Sequence, residues 1–246
     1  MLIYNAISND KKFIDKLIEN KIKSNILIAY SKNLKTLKKI EKISNNILID
    51  SGVFSILNNN KKNIDFDEYK NNYIKFIKKN DNNNINGFFE LDLGALIPYT
   101  LVKQYREELF DSTDKIIPIW HSYLGIEEYK NLCNDYNYIG IGGIALKQIK
   151  LNKLPPLLKY AHNHGTKIHA LGLTTINYLN KYPFDSVDST TYSQARFGKT
   201  LLTKNGERRY IKCSEPNNYL SFISSIKLQQ YYYRKWFNYS KKLWGE

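Results

Sequence analysis

Short apolar runs alternate with longer amphipathic stretches along most of this 246-residue chain. The runs are LIYNA (2–6), NILIAY (25–30), NILID (46–50), GFFELDL (87–93), KIIPIWH (115–121), YIGIGG (138–143), KIHALGL (167–173) and FDSVDS (184–189). Each is short and rich in β-branched or aromatic residues, the signature of a strand buried on both faces. Between them lie segments such as KKFIDKLIEN, FDEYKNNYIKFIKK, GIEEYKNLCNDY and KLPPLLKYAHNHG, whose apolar residues recur at helical spacing. Strands alternating with helices predict an α/β fold, and eight such units predict a (β/α)8 TIM barrel. A doubly wound sheet is the alternative, but no strand opens a Gly-x-Gly-x-x-Gly dinucleotide loop.

The alternation stops after residue 198. KTLLTKNGERRYIKC holds two short β-type runs about Asn205-Gly206, a strong hairpin signal. The tail from about Asn217 to Trp244 predicts a helix, basic and aromatic through YYYRKWFNYSKKLW. This gives one catalytic domain over 1–246, with 199–246 as a hairpin-and-helix extension packed on the barrel. Arg234, Lys235, Lys241 and Lys242 beside Trp236 and Trp244 would also suit a phosphate-tracking face.

Composition narrows the setting. No window is apolar enough to span a membrane, and MLIYNAISNDKKF meets polar residues too early for a signal peptide. The two cysteines, Cys133 and Cys213, have no metal-ligand spacing, so a cytoplasmic protein is expected (host cytoplasm if viral), with no metal and no cofactor. The net charge of +14 favours a polyanionic partner. Part of that excess follows from a chain generally rich in Asn, Lys, Ile and Tyr.

Candidate chemistry collects where barrel enzymes keep it, at the C-terminal ends of strands. Those ends carry Asp50 and Ser51, Glu90 and Asp92, His121, Gly142 and Gly143, His169, and Asp188. Strand parity puts Glu90 with Asp92 on one face and His169 with Leu171 on another. Asp185 and Asp188 have opposite parity, so a regular strand turns only one of them inward, and Asp188 lies nearer the chemical end. Taken singly, these residues have plainer readings: Asp50-Ser51-Gly52 suits a turn and helix cap, Gly-Ile-Gly-Gly a tight turn, His169 a structural histidine, and His162 and His164 helix C-capping.

Five motifs in order, DSGVFS, IGIGGIA, HALG, FDSVDST and ARFGKTLLTKNG, resemble the tRNA-guanine transglycosylase superfamily over about residues 46–211. The match is nearest to the compact, often viral, DpdA-type deazapurine-DNA transglycosylases. The resemblance implies a (β/α)8 barrel that exchanges guanine for a 7-deazaguanine base such as preQ0 through an aspartyl-glycosyl intermediate. It implies Asp50 as acid/base with Ser51 and Phe54 beside it, and Asp92 on the guanine-like N–H edge. His121 stands where the tRNA enzymes have Gln. Gly142 and Gly143 would admit the flat base, Leu171 would pack on its face, and His169 would touch sugar or phosphate, with Arg196 also in the substrate site. The nucleophile is Asp188 when aligned on Ser-Val-Asp-Ser-Thr and Asp185 when aligned on Phe-Asp. The zinc subdomain of the tRNA enzymes is absent from the sequence, which favours DNA over tRNA as partner. Helper proteins or a homodimer are compatible with this reading. Rivals are a compact tRNA enzyme, a non-catalytic nucleic-acid-binding barrel and a nucleoside hydrolase.

Overall fold

The computed structural model describes residues 1–190 except 8, 10, 20, 22, 32–33, 54–55, 57–63, 95, 145, 174–175 and 180, together with the pairs 201–202 and 208–209. Nine parallel strand segments form one sheet: β1 (Leu2–Ile7), β2 (Ser24–Ala29), β3 (Ser44–Asp50), β4 (Ile85–Phe89), β5 (Ile116–Ile117), β6 (Ile119–Trp120), β7 (Tyr138–Ile141), β8 (Lys167–Ala170) and β9 (Ser186–Ser189). Helices α1 (Lys11–Glu19), α2 (Leu37–Ile43), α3 (Phe66–Asn80), α4 (Tyr99–Phe110), α5 (Gly125–Asp135), α6 (Leu154–Asn163) and α7 (Ile176–Leu179) lie between them in the chain.

The spatial order is β5-β4-β3-β2-β1-β9-β8-β7-β6, so the two segments at opposite ends of the order are neighbours in the chain. Only Pro118 separates them. The sheet is therefore barrel-like and nearly closed, and the proline sits at its seam. The Ile117 carbonyl accepts from Glu90 N–H on the β4 side (3.1 Å), whereas the Pro118 carbonyl accepts from Gly140 N–H of β7 (2.7 Å). Proline has no N–H to continue the ladder, which is why the run 115–121 breaks into two short segments.

Side chains alternate across this sheet. Ile26, Ile28, Ile47, Ile49 and Phe88 face outward into one helix-packed core, which also takes Tyr69, Tyr73 and Ile77 from α3. A second outer core gathers Ile139, Ile141, Ile168 and Val187 with Leu132, Leu157 and Leu158 from α5 and α6. Tyr4, Leu27, Leu48, Phe89, Ile117 and Ile119 form a third, inner cluster against which Tyr138 and Leu171 pack. Burial on both faces is what a parallel sheet demands, and it explains the near-continuous apolar runs.

Helix ends follow local chemistry. Asp65 caps α3 by accepting from Glu68 N–H at 2.8 Å, with Asp67 and Glu68 in the first turn and Lys78 and Lys79 in the last. Pro155 and Pro156 occupy the first turn of α6, where their missing N–H groups cost nothing. Beyond the barrel, β10 (Leu201–Leu202) and β11 (Arg208–Arg209) pair antiparallel, Leu201 with Arg209 and Leu202 with Arg208. The intervening Asn205-Gly206 and the aromatic tail lie outside the described residues. No helix among the described residues is long and apolar enough to cross a membrane.

Candidate functional site

Asp50 is the last residue of β3 and shares parity with the inward-facing Leu48. The chain then turns tightly: Asp50 Oδ1 accepts from Gly52 N–H at 2.6 Å, and the Asp50 carbonyl accepts from Tyr30 N–H at 2.7 Å. Gly52 has φ +77°, and a Cβ there would lie 2.4 Å from the Tyr30 carbonyl oxygen, so this turn admits only glycine. Ser51 is buried, and its carbonyl accepts from the Tyr69 hydroxyl at 2.6 Å. Asp50-Ser51-Gly52 is thus a built turn, and it also carries a perturbed carboxyl. Burial pushes the Asp50 carboxyl up to about 6; the Gly52 N–H opposes this, while the charges of Asp188 and Asp92 add to it. Three carboxylates from β3, the β4 loop and β9 therefore share one electrostatic field.

Asp188 lies in β9 opposite Tyr4 of β1 and is 8% exposed. Its Oδ1 accepts from Gly172 N–H at 2.7 Å and lies 3.2 Å from His169 Nε2. Both contacts engage one oxygen, leaving Oδ2 clear of them. Asp185 goes elsewhere. Its Oδ2 accepts from Ile168 N–H at 2.8 Å and meets His162 Nε2 of α6 at 3.1 Å, at the N-terminal end of β9. The structure thus separates the two aspartates: Asp188 joins Asp50, and Asp185 ties the strand to α6. His162 is accordingly a partner of the Asp185 carboxylate rather than a helix cap. His164 does cap, its Nδ1 contacting the Tyr160 carbonyl at 2.8 Å.

Two expectations require correction. His169 does not reach a ligand-accessible surface: it is 0% exposed, with Nδ1 on Ser186 Oγ at 2.6 Å and Nε2 on Asp188, so direct contact with sugar or phosphate is closed to it here. Glu90 does not share a face with Asp92. β4 ends at Phe89, the backbone turns through a Leu93 N–H to Leu91 carbonyl bond, and strand parity lapses. Glu90 is buried and paired with Arg106 of α4 through contacts of 2.6 and 3.2 Å, while also accepting from Ile119 N–H.

Asp92, by contrast, is 41% exposed at the side chain, and its Oδ1 accepts from His121 Nε2 at 2.9 Å. The His121 ring lies over Gly142, where a Cβ would come within 2.3 Å of Cε1. The same ring stacks on Tyr123, with centroids 5.3 Å apart and planes 18° apart. Gly143, at φ +77°, is covered by Gln148, whose Oε1 would meet a Cβ at 2.2 Å. Glycine at 142 and 143 therefore makes room for His121 and Gln148. Leu171 packs on the inner cluster beside Gly140 and Phe89. Phe54 and Arg196 lie outside the described residues.

Sequence reading missed Tyr123, Ser186 and the Glu90–Arg106 pair. A signal existed for the first two: Tyr123 follows His121 by two positions in WHSYLG, and Ser186 shares inward parity with Asp188 in FDSVDS. Arg106 gave none, since its partner depends on where β4 stops.

A cavity of about 600 Å³ opens at the opposite, N-terminal end of the sheet, lined by Tyr4, Tyr138, Ser186, Lys115, Lys167 and Asp185. Size alone would draw attention there, but the perturbed carboxyl and the converging acids lie at the other mouth, where the chemistry is to be sought. No family model, no curated protein and no solved structure matches this chain.

Proposed function

We propose that this protein is a base-exchange transglycosylase that replaces guanine in DNA with a 7-deazaguanine base. Counting Ile116–Trp120 as one strand bent at Pro118 gives eight parallel strands and the (β/α)8 reading. The observation that carries the proposal is the convergence of Asp188 and Asp50 on one mouth, near enough for the Asp188 charge to raise the Asp50 carboxyl. One acid is anchored through a single oxygen, and the other is raised to about 6. Two carboxylates in different environments are what a double-displacement reaction at an anomeric carbon needs.

Asp188 Oδ2 attacks C1′ of the flipped or single-stranded nucleotide. The C1′–N bond breaks as the C1′–O bond forms, and its electron pair leaves with the guanine, which takes a proton from Asp50. The incoming deazaguanine gives that proton back to Asp50 and displaces the ester, so the anomeric configuration is retained. Asp92, oriented by His121, accepts from the N–H edge of the base. Leu171 packs on the face of the base.

Substituting Asp50 by Asn is expected to slow both release and uptake of base. It should also stabilise the fold at neutral pH. The folded carboxyl is raised from 3.8 to about 6, so its charge opposes folding above that range; this penalty fades as pH falls through about 6 and is gone below 3.8. Urea denaturation of both proteins across this range measures the effect: equal stability at all pH values would remove Asp50 from the perturbed role.

Lys147, Lys150 and Lys153 are exposed in the segment after β7, on the carboxylate side, and form no ion pair among the described residues. Charge at this end is mixed, since Asp67, Glu68 and Glu127 lie in the first turns of α3 and α5. The three lysines are the cations there that a nucleic-acid backbone could use while its base reaches the acids. Changing the three lysines to Gln is expected to weaken DNA binding and flatten its salt dependence, by about 0.9 in log–log slope for each phosphate no longer neutralised. An unchanged slope in filter-binding titrations would move the backbone track elsewhere.

The central experiment is release of labelled guanine from DNA and, separately, from tRNA, with and without preQ0. Release from DNA over many turnovers that requires the incoming base, with at most one guanine per enzyme released without it, supports the proposal. Release from tRNA alone would make this a compact tRNA enzyme, many turnovers without any incoming base would indicate a hydrolase, and none from either would leave a binding barrel.

A further inference from the structure

A line of buried polar groups runs through the inner face of the sheet behind Asp188. The Tyr138 hydroxyl of β7 meets Ser186 Oγ of β9, Ser186 Oγ lies 2.6 Å from His169 Nδ1, and His169 Nε2 lies 3.2 Å from Asp188 Oδ1. His169 and Ser186 are 0% and 1% exposed. Such a line in a mostly apolar interior is costly unless every member is satisfied, and here each member has its partner.

The donors and acceptors can be assigned in sequence. An ionised carboxylate only accepts, so the Nε2 proton points at Asp188. In a neutral imidazole Nδ1 then accepts, so Ser186 must donate to it. The Ser186 oxygen in turn accepts from the Tyr138 hydroxyl. The Asp188 carboxylate thus sets the tautomer, and Ser186, backed by Tyr138, fixes the orientation in which the ring presents that N–H.

We propose that His169 is a positioning residue for the nucleophile, and that Ser186 and Tyr138 hold its ring where Nε2–H grips Asp188 by Oδ1 and leaves Oδ2 free to attack. This rests on the transglycosylase reading above and adds to it a device for setting the geometry and charge of the attacking carboxylate. The groups facing His169 are Tyr4 of β1, Phe89 of β4, Tyr138 of β7, and Ser186 and Asp188 of β9, with the Asp50 charge acting on Asp188 across the mouth. Burial raises both Tyr4 and Tyr138 far above neutrality, so neither phenol ionises over the working range.

The test is the split between kcat and KM. Ser186→Ala removes the partner of Nδ1 while leaving the ring in place, so guanine release should fall about tenfold in kcat with KM nearly unchanged. Ser186→Thr, which keeps the hydroxyl, should recover most of that loss.

His169→Gln, which still offers an N–H to Asp188, should retain more activity than His169→Leu, which offers none, with the difference in kcat. This pair also carries the test should Ser186→Ala fail to fold. Equal losses in His169→Gln and His169→Leu, or a Ser186→Ala deficit that lies in KM, would overturn the positioning role and leave Ser186 a packing residue. Asp188→Ala run alongside separates the two levels: guanine release surviving in that variant would overturn the reaction itself, whatever the histidine does.

Discussion

Replacing Asp188 with alanine is expected to reduce guanine release by at least about a thousandfold, as loss of a nucleophile does in enzymes whose other groups act through it. Salt-dependent DNA binding should persist, because the exposed lysines after β7 are untouched. Asp185→Ala should do the reverse. It deprives Ile168 N–H of its acceptor and His162 of a hydrogen-bond partner, costing about 1–3 kcal/mol of stability while leaving exchange intact at permissive temperature. The decisive readout is intact-mass spectrometry of wild type and both variants trapped on DNA without an incoming base. A covalent adduct in wild type and Asp185→Ala, absent from Asp188→Ala, is the expected pattern. An adduct surviving in Asp188→Ala would assign the attack to another group.

Arg106→Met is expected to have the largest effect on stability, a loss of about 3–5 kcal/mol at neutral pH. Arg106 is 4% exposed and grips the 2% exposed Glu90 through Nε and Nη2, with Tyr99 also accepting from Nη2. Removing the guanidinium strands a buried carboxylate whose pKa burial already raises and which Arg106 opposes. In the variant the Glu90 carboxyl should rise further and take up a proton as pH falls. Its folded value then stands above its unfolded value, so the deficit is fullest at high pH and shrinks on acidification. Urea denaturation at neutral and mildly acidic pH tests this, and a deficit that grows on acidification would contradict the assignment. Function should suffer too, since Glu90 also accepts from Ile119 N–H and so fixes the strand segment that leads to His121.

The alternation of apolar runs was enough to locate the strands of the parallel sheet, because a strand buried on both faces must be apolar almost throughout. It could not show that one of them divides at Pro118, since apolarity does not record which neighbour each carbonyl faces. The strand-end places of Asp50 and Asp188 and the shared face of His169 and Leu171 followed from position and period two. The depth of His169 did not: whether a histidine meets solvent or serine depends on what stands opposite it on another strand, and Ser186 is 17 residues away. Parity misled at Glu90 because it assumed a strand longer than the backbone keeps. The stacking of Tyr123 on His121 depends on how a short 3-10 turn at Ser122–Leu124 swings the ring back, a matter of backbone direction that residue types do not encode.

The seam at Pro118 has a further consequence. One outer core draws its residues from Ile7 to Ile116, and the other from Trp120 to Val187 with Ile3 as its one outlier, so the outer packing divides into two half-barrels at the proline. Only the inner cluster spans the division. Asp50 and Asp92 belong to the first half, Asp188 and its histidine to the second. Neither outer core therefore backs all three of the acids that share the mouth. On the proposed mechanism, parting the two halves would separate nucleophile from acid, so closing the sheet and assembling the chemistry would be one event.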